Sequence, residues 1–261
     1  MSLFKAMLKK DLLMLRNQKN AFSTLLIVPL VIGIIIPLVF VCLILFEPEI
    51  SSIASDLPLY LVNMEPSDPL YRLELVRVVI DSMFSTYFLI IPLMTGSILA
   101  SASFVAEREN KTMEALLYTP ISMTQLLASK LFSALVPSII VTWITAIGSG
   151  LAINIPCYLQ FQVFPFPTTL WLLNLLWLAP IISCLSLTFS VLVSAKSQSY
   201  QEAQQKSSLL VFPLMALIIG QVSGLYILGA FNYFLIGLAI IPIEIFLMQR
   251  IAKSFQRENL V

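Results

Sequence analysis

Ala21-Phe-Ser-Thr-Leu-Leu-Ile-Val-Pro-Leu-Val-Ile-Gly-Ile-Ile-Ile-Pro-Leu-Val-Phe-Val-Cys-Leu-Ile-Leu-Phe46 contains no charged residue. A helix needs roughly 20 apolar residues to span the hydrocarbon core of a bilayer, and this stretch supplies them. It exceeds the about 7 to 15 apolar residues of a secretory leader and lacks a small-residue cleavage site, so it reads as a retained membrane helix. Further charge-free stretches run over 82–106, 131–195 and 207–243. The third of these four stretches is too long for one helix and carries Asn154-Ile-Pro-Cys157 and Phe164-Pro-Phe-Pro-Thr168, which divide it into 131–153 and 170–194. The fourth divides near Gly229 to Asn232 into 207–228 and 232–248, the last running past Glu244. The expected fold is an all-α membrane protein with six spans.

Composition agrees with a membrane as solvent. Of the 261 residues 59% are apolar and 11% charged, against about 25% charged in a typical soluble chain. A net charge of +1 names no nucleic-acid partner. With no histidine and only Cys42, Cys157 and Cys184, most metal sites, a Ser-His or Cys-His nucleophile and a disulfide framework are excluded. No paired aspartates and no Ser-Lys dyad sit within a span, which argues against an intramembrane enzyme.

Orientation follows from the bases, which accumulate in short cytoplasmic connections. Lys5, Lys9, Lys10, Arg16 and Lys19 precede the first span; Arg108, Lys111 and Lys130 follow the second; Lys196 and Lys206 follow the fourth; Arg250, Lys253 and Arg257 follow the sixth. The segment 47–81 keeps only Arg72 and Arg77 beside Glu47, Glu49, Asp56, Glu65, Asp68, Glu74 and Asp81, and reads as an acidic external loop. Within it Pro66-Ser-Asp-Pro69 marks a break, after which Leu70 to Val79 climbs into the second span. Both termini are then cytoplasmic, with 249–261 as a tail. Residues 1–20 put Leu3, Phe4, Met7, Leu8, Leu12 and Leu15 on one helical side and Lys5, Lys9 and Arg16 on the other, the pattern of a helix lying in the membrane interface.

The connection 107–130 is dense in charge beside a span. Met113, Leu116 and Leu117 have helical spacing, Thr119-Pro120 stops that helix, and Ser122 caps the next. A short amphipathic helix, a break and a new helix suit a knob that docks in a partner's groove; a solvated loop with one helical turn is the plainer alternative.

The run Glu107-Arg108-Glu109-Asn110-Lys111-Thr112-Met113-Glu114-Ala115-Leu116-Leu117-Tyr118-Thr119-Pro120-Ile121-Ser122 resembles the Glu-Arg-Glu, Thr-x-Glu-x-Leu-Leu and Thr-Pro-x-Ser sequence after the second span of ABC-2 type ATP-binding-cassette permeases. The resemblance implies that Glu107, Arg108, Glu109, Thr112, Met113, Glu114, Leu116, Leu117, Thr119, Pro120 and Ser122 press on a separate ATPase subunit. The chain has no G-x-x-x-x-G-K-[ST] loop to cradle phosphates, so hydrolysis is expected in trans; the resemblance implies two partner ATPase copies that hold ATP and Mg, and no cofactor on this chain. The resemblance further implies a second permease chain, identical or related, in the plasma (cytoplasmic) membrane of a bacterium, with export as the activity. Ion extrusion of the sodium type, or a non-transporting scaffold or sensor, are the alternatives.

Inside the spans, Pro29, Pro37, Pro92, Pro137, Pro180, Pro213 and Pro242 can each bend a helix and free a carbonyl. Gly96, Ser97, Ala100 and Ser101, and Ser183, Ser186, Ser190 and Ser194, allow close helix approach. Gly220, Gln221 and Gly224 in the fifth span are candidates for a pathway or a seam between permease chains, with intrachain packing as the alternative. Glu244 is expected to pair with Arg250 or reach the interface. Tyr158, Phe161, Phe164, Phe166 and Trp171 read as an interfacial aromatic belt or an exit gate. So apolar an interior favours an amphipathic or hydrophobic cargo: a peptide, an antibiotic or a lipid-like molecule.

Overall fold

The computed structural model describes residues 19–46, 69–109, 123–194, 197, 199–222 and 228–254. Among these residues the regular structure is helical and there is no strand. The helices are α1 (19–46), α2 (69–109), α3 (Met123–Phe161), α4 (169–194), α5 (200–222) and α6 (Ala230–Ser254). Each contains a stretch long and apolar enough to cross a membrane, 6 in all. The amphipathic segment before residue 19, most of the acidic segment and the tail after 254 lie outside the described residues.

Several boundaries differ from those expected of charge and proline alone. Helix α2 starts at Pro69, so Arg72, Glu74, Arg77 and Asp81 are helical. Its Tyr71, Leu73, Leu75, Val76, Val78 and Val79 are buried, while Arg77 pairs with Glu74 at 3.5 Å and Arg72 donates to the Leu45 carbonyl at the end of α1. Arg77 is exposed and Arg72 and Glu74 are half-buried, so these three charges sit at the rim of the core. Helix α3 passes through Pro156 to Phe161. Asn154 does not break it; its amide brackets the returning loop, donating to the Phe166 carbonyl at 2.8 Å and accepting from the Phe166 N–H at 3.1 Å. The helix stops where Gln162 turns left-handed, at φ 54°. Helix α5 begins at Tyr200, capped by Ser199 and tied by Lys206 to Glu202 at 2.6 Å, so its first turns precede the charge-free run.

Helix α2 is the most buried of the six. In lipid the water-driven term between helices is absent, and close van der Waals packing with interhelical hydrogen bonds replaces it. The small residues provide this inside the chain. A Cβ on Gly96 would stand 3.0 Å from the Ser183 carbonyl oxygen of α4, and Ser186 donates to the Leu93 carbonyl at 2.5 Å. Asn174 beside Ser85 near one end and Leu187 with Leu99 near the other make α2 and α4 parallel neighbours.

Two apolar clusters define the ends of the bundle. One gathers Leu25, Ile98, Leu99, Ala134, Leu187, Val191 and Ile251; the other gathers Leu45, Tyr71, Leu75, Ile153, Phe166 and Trp171. The start of α1, the ends of α2, α4 and α6, and the start of α3 therefore share one end. Outward-facing side chains such as Ile35, Trp143, Ile147, Phe212, Phe231 and Phe246 are exposed and apolar, as lipid contact requires.

Prolines explain two of the three wide turns among the described residues; the third, Ile80–Phe84 of α2, has no proline at that offset. Residues Val31–Ile35 and Asn174–Leu178 are π-helical, and Pro37 and Pro180 follow the first residue of each at the same offset. A proline lacks the N–H for the carbonyl four residues back, and its ring crowds that carbonyl; a widened turn relieves both. In α1 the Ile36 N–H bonds the Val31 carbonyl, and neighbouring helices fill what remains. Tyr87 of α2 donates to the Ile32 carbonyl at 3.3 Å, and Ser149 of α3 donates to the Gly33 carbonyl.

Candidate functional site

The connection expected to carry coupling is flanked by two helices that the structure does describe. Glu107, Arg108 and Glu109 form the last turn of α2, and α3 begins at Met123. Packing of Ile98, Leu99 and Ala100 with Ala134 and Val141 holds the two together near this end. Thr112, Met113, Glu114, Leu116, Leu117, Thr119, Pro120 and Ser122 lie outside the described residues. Lys130, about two helical turns into α3, is fully buried, and Ser133 donates to its carbonyl at 2.8 Å.

In the fifth helix Gly220 and Gln221 are buried, and Gly224 is outside the described residues. Gln221 turns inward to a neighbouring helix pair. Thr86 of α2 donates to its Oε1, its Nε2 donates to the Tyr233 hydroxyl of α6 at 3.3 Å, and Tyr233 and Thr86 share the third bond. Thr86 has one proton, which Gln221 takes, so Tyr233 must donate to Thr86. The three side chains close a ring that ties α2, α5 and α6.

Sequence reading did not single out the groups around this ring. Asn174, on the π turn of α4, is fully buried and donates to the Ser85 carbonyl at 3.1 Å, which the tight turn at Phe88 and Leu89 leaves available by sending the Leu89 N–H to Thr86. Tyr233 sits beside Asn174 and in the field of Asp81. Asp81 lies on the π turn Ile80–Phe84 of α2, next to Thr168, the cap of α4. Oδ1 of Asp81 and Oδ1 of Asn174 are both buried without a hydrogen-bond partner. The available signal was an asparagine in the apolar run Leu170 to Leu178, and an aspartate four residues before a serine.

Deeper in the bundle Thr95, Ser138 and Ser183 form a hydroxyl chain across α2, α3 and α4, with contacts of 2.7 and 3.3 Å. Glu244 is buried near Cys184 of α4, not paired with Arg250, whose guanidinium lies 5.3 Å from the Phe246 ring centre. The aromatic set divides: Phe166 and Trp171 are core, in edge contact at 4.3 Å, whereas Tyr158 and Phe164 are exposed and stacked at 4.8 Å. Among the described residues no group of three His, Cys, Asp or Glu is placed to hold a metal.

A family model described as "ABC-2 family transporter protein" matches residues 50–201. That range takes in α2, the connection 110–122, α3 and α4. No curated protein and no solved structure matches the chain. The family is one of transmembrane subunits that work with an ABC ATPase subunit. With its helices sealed by internal polar bonds and coated by apolar side chains, the chain is a multi-pass membrane protein that belongs to the ABC-2 family of transporter proteins.

Proposed function

We propose that the chain is the permease of an ATP-driven exporter, and that residues 107–122 transmit the motion of a separate ATPase to the spans. The observation that carries this reading is the family match over 50–201, which brackets this segment between the two helices it joins. Glu114 and Leu117 are the contacts we assign to the ATPase groove, one charged and one apolar, on a short amphipathic helix. Hydrolysis belongs to the partner, in two copies, and a second permease chain, identical or related, completes the assembly in the plasma membrane of a bacterium. Bases gathered at the end of the bundle that carries this segment support a cytoplasmic position for it. The cargo is amphipathic or hydrophobic, in keeping with spans that carry few charged groups.

The test is purification of the tagged chain from its own cells in nanodiscs, with mass spectrometry of what accompanies it. A stoichiometric ATPase with a phosphate-binding loop is expected. Glu114→Ala with Leu117→Ala should weaken its capture on the order of tenfold, the effect of truncating interface anchors, and uncouple hydrolysis from transport while leaving insertion intact. A chain that purifies without any nucleotide-binding partner would overturn the reading in favour of a scaffold or sensor. In reconstituted vesicles, transport that required an inorganic ion and ignored amphipathic compounds would overturn the cargo assignment alone.

A further inference from the structure

We propose that the seam between α4 and α6 is a proton-binding site, in which Glu244 carries the proton at neutral pH and presents an uncharged carboxyl to lipid-soluble carbodiimides. Protonation of this chain is measured without transport, so the site stands or falls apart from the export reading.

Helix α6 hides one narrow stripe. Among its described residues Tyr233, Gly237, Glu244 and Ile251 are buried, a spacing that keeps them on one helical face, and the helix packs mainly against α4. Around Glu244 the side chains of Ile243, Ile245, Phe246 and Met248 are exposed and apolar, the lipid-facing surface of the same turn. The carboxyl therefore sits on the face that α6 turns into the protein. Helix α4 brings no charge to meet it, since 169–194 contains none; the titratable side chain that faces Glu244 from α4 is the Cys184 thiol. Oε1 of Glu244 is buried without a hydrogen-bond partner. On α6 itself, Arg250 is exposed and its guanidinium lies 5.3 Å from the Phe246 ring centre.

Depth and direction keep the carboxyl from the membrane surface. The apolar span of α6 ends at Ile251, about 10 Å beyond Glu244 at 1.5 Å per residue. A helical Cα–Cβ bond tilts toward the helix N-terminus, and α6 runs toward the end of the bundle where Ile251 meets Leu25 and Leu99. The short side chain thus leans away from that surface, where a lysine or arginine would snorkel to it. An ionised carboxyl here would be an intramembrane charge with no base beside it among the described residues, whereas such charges pair or line a wet cavity. A proton removes the charge without moving any side chain, and the acid hydroxyl can be shared with the thiol sulfur, a weak acceptor. A hard metal cation would instead need several oxygen ligands, and α4 offers sulfur.

The experiment uses the full chain in nanodiscs of ether lipid, which lack ester carbonyls that would mask an acid. Infrared spectra of the wild type and of Glu244→Gln are subtracted at neutral pH. Loss of a neutral-acid C=O band in the variant is expected; loss of carboxylate bands instead would show Glu244 ionised and overturn the proposal. In parallel the wild-type chain is treated with N,N′-dicyclohexylcarbodiimide, and the peptide containing Glu244 is followed by mass spectrometry. In that reaction the acid proton passes to one carbodiimide nitrogen, the carboxyl oxygen bonds the central carbon, and the acyl group then migrates to nitrogen as a stable N-acylurea. A carboxyl of ordinary acidity, with a pKa of about 4.3, loses its protonated form roughly a hundredfold between about pH 5 and 7, and its modification rate with it. Glu244 should hold its rate within about twofold over that window, set against this hundredfold fall, and should escape a water-soluble carbodiimide. A hundredfold fall, no modification at any pH in the window, or modification by the water-soluble reagent would each overturn the proposal. These rates are read on the wild type, so they decide the matter even if Glu244→Gln does not insert.

Discussion

At the scale of single residues, glycines set how near the helices come. A Cβ on Gly237 of α6 would meet Nε1 of Trp177 at 2.3 Å, with two further ring atoms at 3.0 and 3.1 Å. That indole cannot swing aside, because it is stacked on Phe234 with centroids 5.1 Å apart. Gly237→Ala should therefore destabilise by about 1 to 3 kcal/mol, outweighing the roughly 1 kcal/mol that alanine gains in helix propensity. Gly148 meets only the outer carbons of Ile34, Cδ1 at 2.4 Å and Cγ1 at 3.0 Å, and a flexible tip yields. Gly148→Ala should be neutral or slightly stabilising, and unfolding titrations in mixed micelles compare the two directly. The sequence marks glycines and serines as sites of close approach but not what they approach. The same limit hid Asp81 and Asn174: a rule that ends a span at the nearest charge stops at Ser82, and a lone asparagine in a hydrophobic run shows its importance only once Ser85 is beside it.

At the scale of elements, the prolines were legible and their consequences were not. That each frees a carbonyl follows from the missing N–H; that Ser149 and Tyr87 would supply the substitute donors depends on how three helices meet. This gives a coupling that can be measured. In Pro37→Ala the restored N–H competes for the Gly33 carbonyl, so Ser149→Ala should cost less there than in the parent chain. The expected difference is about 0.6 to 1.7 kcal/mol, the range of interhelical hydrogen bonds in membranes, read from a double-mutant cycle; strict additivity would refute the account. Pro156 teaches the converse. As a letter in the sequence it resembles Pro165, yet α3 runs through it, because a membrane helix keeps its remaining bonds where no water competes for them and Asn154 is occupied with the loop beyond.

At the scale of the whole molecule, four apolar stretches were readable from charge, since expelling charge from hydrocarbon is a term of several kcal/mol per residue, and proline, asparagine and glycine breaks divided two of them to give six alternating spans. The convergence of both described chain ends and of residues 109 and 123 on one end of the bundle follows from that alternation, and the end clusters bear it out. A membrane-impermeant thiol reagent should accordingly modify Thr112→Cys and a cysteine placed at Val261 from the same side of sealed vesicles, and leave Glu65→Cys to the other side. Labelling of Thr112→Cys and Val261→Cys from opposite sides would contradict the arrangement. What charge does not reveal is length. Lipid-facing apolar side chains on α3 extend from Phe132 to Leu159, roughly 40 Å at 1.5 Å per residue, while the hydrocarbon core is about 30 Å thick. Either the helix leans or the surrounding lipid stretches to meet it. The bilayer is thus a partner with a dimension of its own, and a change of acyl-chain length acts on this chain as a mechanical load.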